Sequence, residues 1–268
     1  MCGRYASSRK PEDLVEEFEV DSVRARTLEP DFNVAPTKDV YAILERRHRD
    51  DDEATGKLTN RRLSSVVWGL VPSWAKDRSI SSRLINARVE TLAEKPAFRR
   101  AFAARRCLLP ADGYFEWYPT DAVGVRGRPV KQPFFIRPQD ERVLAMAGLY
   151  EIWRNEQVPK DHPDAFLWSA AVITTSAEDP LGHIHDRMPM LVEPDRYDAW
   201  LDPAVTSTDE LRELLVPAAP GRLTAYPVST DVNNVRNNGP ELIAAVELEG
   251  ASEAVEASKG AAEALFDV

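Results

Sequence analysis

Residues 107–118 read CLLPADGYFEWY, a strand-like run of aliphatic and aromatic residues. Within it GYFEW alternates with period two. An extended chain puts Tyr114, Glu116 and Tyr118 on one face and Phe115 and Trp117 on the other. Working outward, strand-like runs recur at 133–137, 142–150 and 167–175 downstream, and at 40–45 and 63–68 upstream. Residues 46–62, RRHRDDDEATGKLTNRR, are almost wholly polar and read as a solvated loop. The stretches 119–132 and 154–165 are rich in Pro, Gly and charge and read as loops or hairpin insertions. Helices are expected at 11–19, where Pro11 suits the first helical position and Leu14, Val15 and Phe18 share a face, and at 88–104 with a break at Pro96. Further helices are expected at 194–201 and 208–215, and strands at 222–228 and 241–248. Many short strands with a few interspersed helices indicate the α+β class. No repeat or linker divides the chain, so one domain is expected over 1–248, followed by an Ala- and Glu-rich tail, 249–268, as a loose helix or disordered.

The 268 residues are 43% hydrophobic and 29% charged, the range of an ordinary globular protein. No run approaches the ~20 apolar residues that span a bilayer, so a membrane protein is not expected. The start, MCGRYASSRK, has no apolar signal-peptide core, so a cytoplasmic, reducing setting is expected. Cys2 and Cys107 are too few for a disulfide framework or a four-cysteine zinc site.

Lys and Arg total 34 against 44 Asp and Glu, a net charge of -10, which read alone argues against a nucleic-acid binder. The distribution points elsewhere. Residues 83–106 carry Arg83, Arg88, Lys95, Arg99, Arg100, Arg105 and Arg106 against Glu90 and Glu94, and the first ten residues carry Arg4, Arg9 and Lys10 with no acid. This is either a solvated helix face or a local phosphate-binding patch, which needs only a few well-placed guanidiniums.

Cys2 is the most informative residue. Initiator Met is readily removed before a small residue, and removal exposes an α-amine beside a thiol. Such an amine, with a pKa of roughly 7.7–8, is partly unprotonated at neutral pH and can attack an aldehyde. The thiol can then close a thiazolidine ring. The plainer reading is a buried residue near the chain start. Glu116, among aromatics, either has a partner or works as an acid/base with a raised pKa. In HIHDRMP, His183 and His185 would point the same way from a strand. A metal is conceivable, but only His48 and His162 remain, both in polar loops, and acid/base work by one histidine fits better. Asp186 and Arg187 would orient the loop. NARVE presents Asn86, an amide for an oxyanion or hydroxyl, and Arg88, suited to phosphate, to one side. Trp68 and Trp74 in WGLVPSW either pack in the core, expected for at least one, or stack against bases. Cys107 reads as a small core residue.

Together these segments resemble the SRAP proteins, the family of the bacterial SOS-response-associated peptidase and the eukaryotic abasic-site processing protein. The matching stretches are MCGRYA at 1–6, FNVAPT at 32–37, WGLVPSWAKD at 68–77, INARVET at 85–91, FRRAFAARRCLLPADGYFEW at 98–117, AGLYEIW at 147–153, ITTSA at 173–177 and IHDRMP at 184–189. The resemblance implies a single α+β domain built on a curved, barrel-like antiparallel sheet with short flanking helices. It implies action on abasic sites in single-stranded DNA, autoproteolytic loss of Met1 and lyase activity, with no cofactor or metal. By the same resemblance Cys2 is the covalent nucleophile, Asn86 positions the amine and sugar, Glu116 is the acid/base, and His185, not His183, handles protons. Arg4 and Arg88 would contact phosphates, Asn33 and Pro36 would shape the pocket floor, Trp68 and Trp74 would form a DNA-facing wall, and Thr174 or Thr175 would add a hydroxyl. A monomer associated with damaged nucleoid DNA is expected. Two alternatives use the same residues differently: an N-terminal-nucleophile cysteine peptidase acting on proteins, and a non-enzymatic single-stranded DNA-binding module.

Overall fold

The computed structural model describes residues 2–47, 59–123, 127, 129–177, 183–219 and 221–247. In chain order the first strands are β1 (Tyr5–Ser7), β2 (Ser22–Val23), β3 (Asp31–Val34), β4 (Asp39–Arg47), β5 (Thr59–Trp68) and β6 (Asn86–Arg88). They are followed by β7 (Arg106–Ala111), β8 (Gly113–Val123), β9 (Pro129–Pro138), β10 (Leu144–Arg154), β11 (Phe166–Ser176), β12 (Arg187–Pro189) and β13 (Leu223–Pro227). The α-helices are short: α1 (Pro11–Glu17), α2 (Arg99–Ala104), α3 (Tyr197–Leu201) and α4 (Thr208–Glu213).

A closed barrel lies at the centre. The antiparallel path β11-β10-β7-β4-β5 is completed by a parallel pairing of β5 with β11, Val67 opposite Ser169 and Trp68 opposite Ala170. A second, five-stranded sheet runs β13-β9-β8-β1-β3. The fold is α+β with a barrel-like sheet, as expected.

Alternation along the barrel strands sorts their side chains into two cores. Tyr41, Ile43, Leu63, Leu108, Ala147, Leu149 and Ile173 pack outward with Leu14, Phe18, Phe102 and Trp200 from the helices. Val40, Ala42, Leu44, Val66, Trp68, Cys107, Leu109, Met146, Ala170 and Val172 point inward, where they meet Cys2, Tyr5 and Tyr114. Helices lie outside a barrel this narrow, which fixes which face is the interior. Cys107 is the small core residue expected. Gly113 opens β8 where no larger residue fits: a Cβ there would lie 2.5 Å from Phe135 Cζ and 2.6 Å from Ile136 O.

Several boundaries differ from expectation, with a common cause. Polar residues continue strands when only one face is buried. So Arg46 and Arg47 extend β4, and Thr59–Arg62 open β5 inside the stretch expected as loop. The GYFEW strand likewise runs on to Val123 and pairs with a β9 that starts at Pro129. Residues 107–118 are two strands, not one. The helix expected over 88–104 is β6's end, a single 3-10 turn at Val89–Thr91 and α2. The strand expected at 241–248 is a 3-10 turn at Pro240–Ile243 followed by an isolated bridge between Ala245 and Val228. The tail 249–268 lies outside the described residues.

The basic segment 83–106 divides into exposed, paired and buried arginines. Arg83, Arg88, Arg99 and Arg100 are exposed, and Arg105 pairs with Glu151 at 2.8 Å. Arg106 is buried. Its guanidinium donates to the carbonyls of Trp200 (2.7 Å), Phe102 (3.1 Å), Ala103 (2.9 Å), Asp202 (2.5 Å) and Val205 (3.0 Å), tying the end of α2 to α3. Burial pushes its pKa down to about 10, so it is still charged at neutral pH. Arg106→Met leaves those carbonyls buried without a donor. A loss of about 3–5 kcal/mol is expected, read from the urea unfolding midpoint.

Candidate active site

Strand β11 gathers the candidates. Along one edge it pairs first with β5 and then with β6, placing Asn86 opposite Val172 and Arg88 opposite Thr174. Along the other it pairs with β10 and then β12, placing Arg187 opposite Ser176. His185 sits two residues before β12, in irregular backbone rather than the strand expected, and His183 is exposed. On the second sheet, β1 lies beside β8, bringing the chain start next to Glu116.

Cys2 is fully buried in the interior core. Asn86 Nδ2 donates to the Cys2 carbonyl at 2.7 Å, and the thiol donates to Arg4 O at 3.9 Å. Asn86 Oδ1 is buried with no hydrogen-bond partner among the described residues, an open acceptor beside Cys2. Burial pushes the Cys2 thiol well above its usual range, and the nearby Glu116 carboxylate pushes it further. The thiol therefore rests protonated. Glu116, 3% exposed, has its pKa raised to about 7 by burial, against the opposing pull of the positive amino terminus. His185 is shifted the other way, below its usual value, by burial and then by the same amino-terminal charge. Its Nδ1 lies 3.0 Å from the Arg187 backbone nitrogen and 2.9 Å from Asp186 Oδ1, whose carboxylate favours the protonated ring and opposes that shift. Cys2, Asn86, Glu116 and His185 thus share one neighbourhood.

The other candidates fare differently. Trp68 is 0% exposed, its Nε1 donating to Ile85 O at 3.1 Å, and it packs edge-on to Tyr5. It is core, not a DNA-facing wall. Trp74 is 56% exposed and keeps that possibility. Thr174 is fully buried, its carbonyl and hydroxyl accepting from Arg187, and Thr175 is buried as well, so neither hydroxyl is presented at the surface. Arg187 also holds Glu90 at 2.5 Å, linking the Asn86 segment to the His185 segment. Asn33 is not a pocket floor. It is buried, accepts from Arg4 Nη1 at 2.5 Å and donates to the carbonyls of Val232, Asn234 and Asn237. Pro36 is half-buried in the turn joining β3 to β4, whose Thr37 N–H donates to Trp68 O. Arg4 is half-buried, bonded to Val232 O at 2.9 Å and stacked on Trp117 at 5.6 Å; burial lowers its pKa. Arg88 is exposed. The partners of Arg4 and Asn33 in residues 232–237 went unnoticed in the sequence, although the run VNNVRNNG is a clear signal of side chain–backbone turns. Among the described residues no group of three or more His, Cys, Asp or Glu could hold a metal ion. His48 lies outside them.

Residues 1–235 match the family described as SOS response associated peptidase (SRAP). The chain belongs to the SRAP family. Similar curated members are named abasic site processing proteins. YoaM of Bacillus subtilis is 37% identical over 244 residues, 91% of this chain and 97% of its own. HMCES of Xenopus tropicalis is 30% identical over 280 residues, 92% of this chain and 78% of its own. A crystal structure from Bacteroides thetaiotaomicron shares the fold, with a TM-score of 0.73 at 24% identity over 92% of this chain and all of that one. A phage-related protein of Bordetella bronchiseptica has a TM-score of 0.61 at 28% identity over 85% of this chain and 94% of that chain.

The raised pKa of Glu116 fixes a pH dependence in this SRAP chain. The folded state holds the proton up to about pH 7, whereas the unfolded carboxyl loses it near its ordinary value of 4.5. The stabilisation is therefore complete below pH 4.5 and lost as pH rises through 7. Glu116→Gln removes this term. The stability of the variant relative to the parent should rise between those limits and level off above them, read from denaturant midpoints across the pH range.

Proposed function

We propose that this SRAP protein processes abasic sites in single-stranded DNA by a covalent bond through Cys2, formed once Met1 has been removed. The observation that carries this reading is the burial of Cys2, with its carbonyl held by Asn86 and its thiol kept protonated. A thiolate protease needs the opposite shift, a thiol lowered by cationic neighbours. A protonated thiol beside an α-amine suits amine-first chemistry.

The steps follow from that order. The α-amine of Cys2 attacks the aldehyde carbon of the ring-opened deoxyribose. The carbinolamine's hydroxyl takes a proton and departs as water while the nitrogen lone pair forms the C=N bond, and the nitrogen then gives up its proton to leave the imine. The thiol sulfur then bonds to the imine carbon while its proton passes to nitrogen, closing the thiazolidine. Glu116, titrating near neutrality, can give and take the protons, and His185, held towards its neutral form beside Asp186, can relay them. Asn86 Oδ1 is free to accept from the amine or a sugar hydroxyl. The same imine also permits β-elimination of the 3′ phosphate, a lyase step, and Glu116 is suited to activate water on the Met1–Cys2 amide. Among the expected contacts, Arg88 and Trp74 are the exposed ones, a guanidinium for phosphate and an indole face for a base. With a net charge of -10, binding of a single strand by the monomer would be local and sensitive to salt.

A denaturing gel tests the reading. An abasic single strand mixed with protein should give a heat-stable, slower band that is absent with an intact strand and with Cys2→Ala. Glu116→Gln should slow its appearance by roughly 100-fold or more. No band from parent protein whose intact mass shows Met1 gone would refute it.

A chain that keeps Met1 has no α-amine on Cys2 but keeps its sulfur. It should give no band, whereas a peptidase acting through sulfur alone would retain activity towards a protein substrate.

A further inference from the structure

Beyond the second sheet, β8 and β9 run on as a two-stranded arm. β1 pairs with β8 at Gly113 and Tyr114, and β13 ends its pairing with β9 at Phe134. From Trp117 onwards β8 pairs with β9 alone, Tyr118 opposite Gln132 and Pro119 opposite Lys131. A ribbon of two strands gains little stability by itself. Its regular pairing through Pro119 carries the alternation of GYFEWY past the sheet, so Tyr118 keeps the face of Tyr114 and Glu116. That is the face of Cys2, which packs with Tyr114 in the interior core.

Along this face the side chains change from sealed to open. Tyr114 and Glu116 are 1% and 3% exposed, whereas Tyr118 is 43% exposed. It stands two residues, roughly 7 Å, beyond Glu116. On the other face the Trp117 ring is engaged, by Phe115 at 6.4 Å and by the Arg4 guanidinium at 5.6 Å. Tyr118 has no aromatic or cationic partner among the described residues. Lys131 brings a charge to the same place. It is exposed and makes no ion pair among the described residues. Burial dominates the titration of both Glu116 and His185, and in each the Lys131 ammonium adds a smaller downward pull. A charge felt by both residues stands beside their site.

We propose that Tyr118 is the stacking platform for the base next to the abasic nucleotide, with Lys131 taking a phosphate of the same single strand. This rests on the abasic-site reading above and deepens it by saying how the flanking nucleotide is held. The occupant follows from the lesion and from charge. An abasic nucleotide leaves one face of its neighbouring base unstacked, and an open phenol ring at the rim of the site offers that face a partner. An unpaired ammonium on a chain of net charge -10 is placed for an anion, and a single strand brings a phosphate at every nucleotide. Such a platform reads no base identity, because every base has a π-face.

The test uses full-length protein and two fluorescent single-stranded oligonucleotides, with affinity followed by anisotropy over a salt series. The first carries one tetrahydrofuran abasic analogue, which has no aldehyde and so reports reversible binding alone. In the second, both neighbouring nucleotides are abasic analogues as well. Tyr118→Ala should weaken binding of the first roughly tenfold and leave the second at the parent's affinity, because the base that would stack is gone. Tyr118→Phe, which keeps the ring, should bind the first like the parent. Lys131→Gln should reduce the salt slope by about 0.7, the share of one phosphate contact, and Lys131→Arg should restore it. Parent-like binding of the first oligonucleotide by Tyr118→Ala, or an equal loss on both, overturns the platform. An unchanged slope in Lys131→Gln overturns the phosphate contact. Crosslinking of an aldehyde-bearing strand by the parent is read separately by gel. A parent that crosslinks while the variants bind as it does loses the platform and keeps the covalent function. The expected losses without a crosslink by the parent support the platform and refute the covalent reading. A parent that neither binds nor crosslinks overturns both.

Discussion

The parallel pairing of β5 with β11 at Val67–Ser169 and Trp68–Ala170 is the constraint on which the rest depends. It closes the barrel, and it does so with few backbone bonds, so the closure is reinforced from the flanks. Gly69 N–H donates to Ala170 O at 2.7 Å, and Val71 N–H donates to the Ser169 hydroxyl at 2.8 Å inside the core. Gly69 has φ +131°, and a Cβ there would come within 2.6 Å of Ser81 O, so the sharp exit from β5 belongs to glycine. Beyond the closure, β11 still has two free edges, and β6 and β12 occupy them. Asn86 and His185 come from segments a hundred residues apart, yet both are placed by the same strand.

The electrostatics of the site follow from this enclosure. Cys2 and Glu116 are displaced towards their neutral, protonated forms, and His185 towards its neutral, unprotonated form. The leading cause is the same each time, loss of water around the charged form. Near pH 7 such a site carries little charge, which is poor for holding a charged ligand but good for passing protons, because Glu116 titrates close to neutrality. The guanidinium of Arg88, two residues from Asn86, stands outside, exposed to solvent. Binding and chemistry are thereby separated in space, and a change in one set of residues need not disturb the other.

Much of this was legible in the sequence. Period-two alternation in GYFEW correctly assigned Tyr114 and Glu116 to one side and Phe115 and Trp117 to the other, and the two sides belong to different cores. The α+β class followed from strand spacing, and the family from ordered motifs. What the sequence withheld was tertiary. Nothing local distinguishes Trp68, sealed in the barrel, from Trp74, six residues on and exposed. Thr174 looks like any β-strand threonine until Arg187 occupies its hydroxyl. Asn33 in FNVAPT resembles a pocket residue, but its amide is committed to carbonyls two hundred residues away.

The arginines make the same point more sharply. Counted along the chain, residues 83–106 are a basic block. In the fold that block separates into unrelated tasks: Arg106 is a buried brace for α2 and α3, Arg105 neutralises Glu151, and Arg83, Arg88, Lys95, Arg99 and Arg100 meet solvent. Arg187, in contrast, lies outside the block and yet ties the two halves of the site through Glu90 and Thr174. Linear charge density is set by which residues are adjacent in sequence, whereas a phosphate responds to those left unpaired at one place on the surface. For an acidic chain that difference decides the matter: a net charge of -10 repels a polyanion as a whole, so a phosphate can be met only where cations are exposed, as Arg88 is two residues from Asn86.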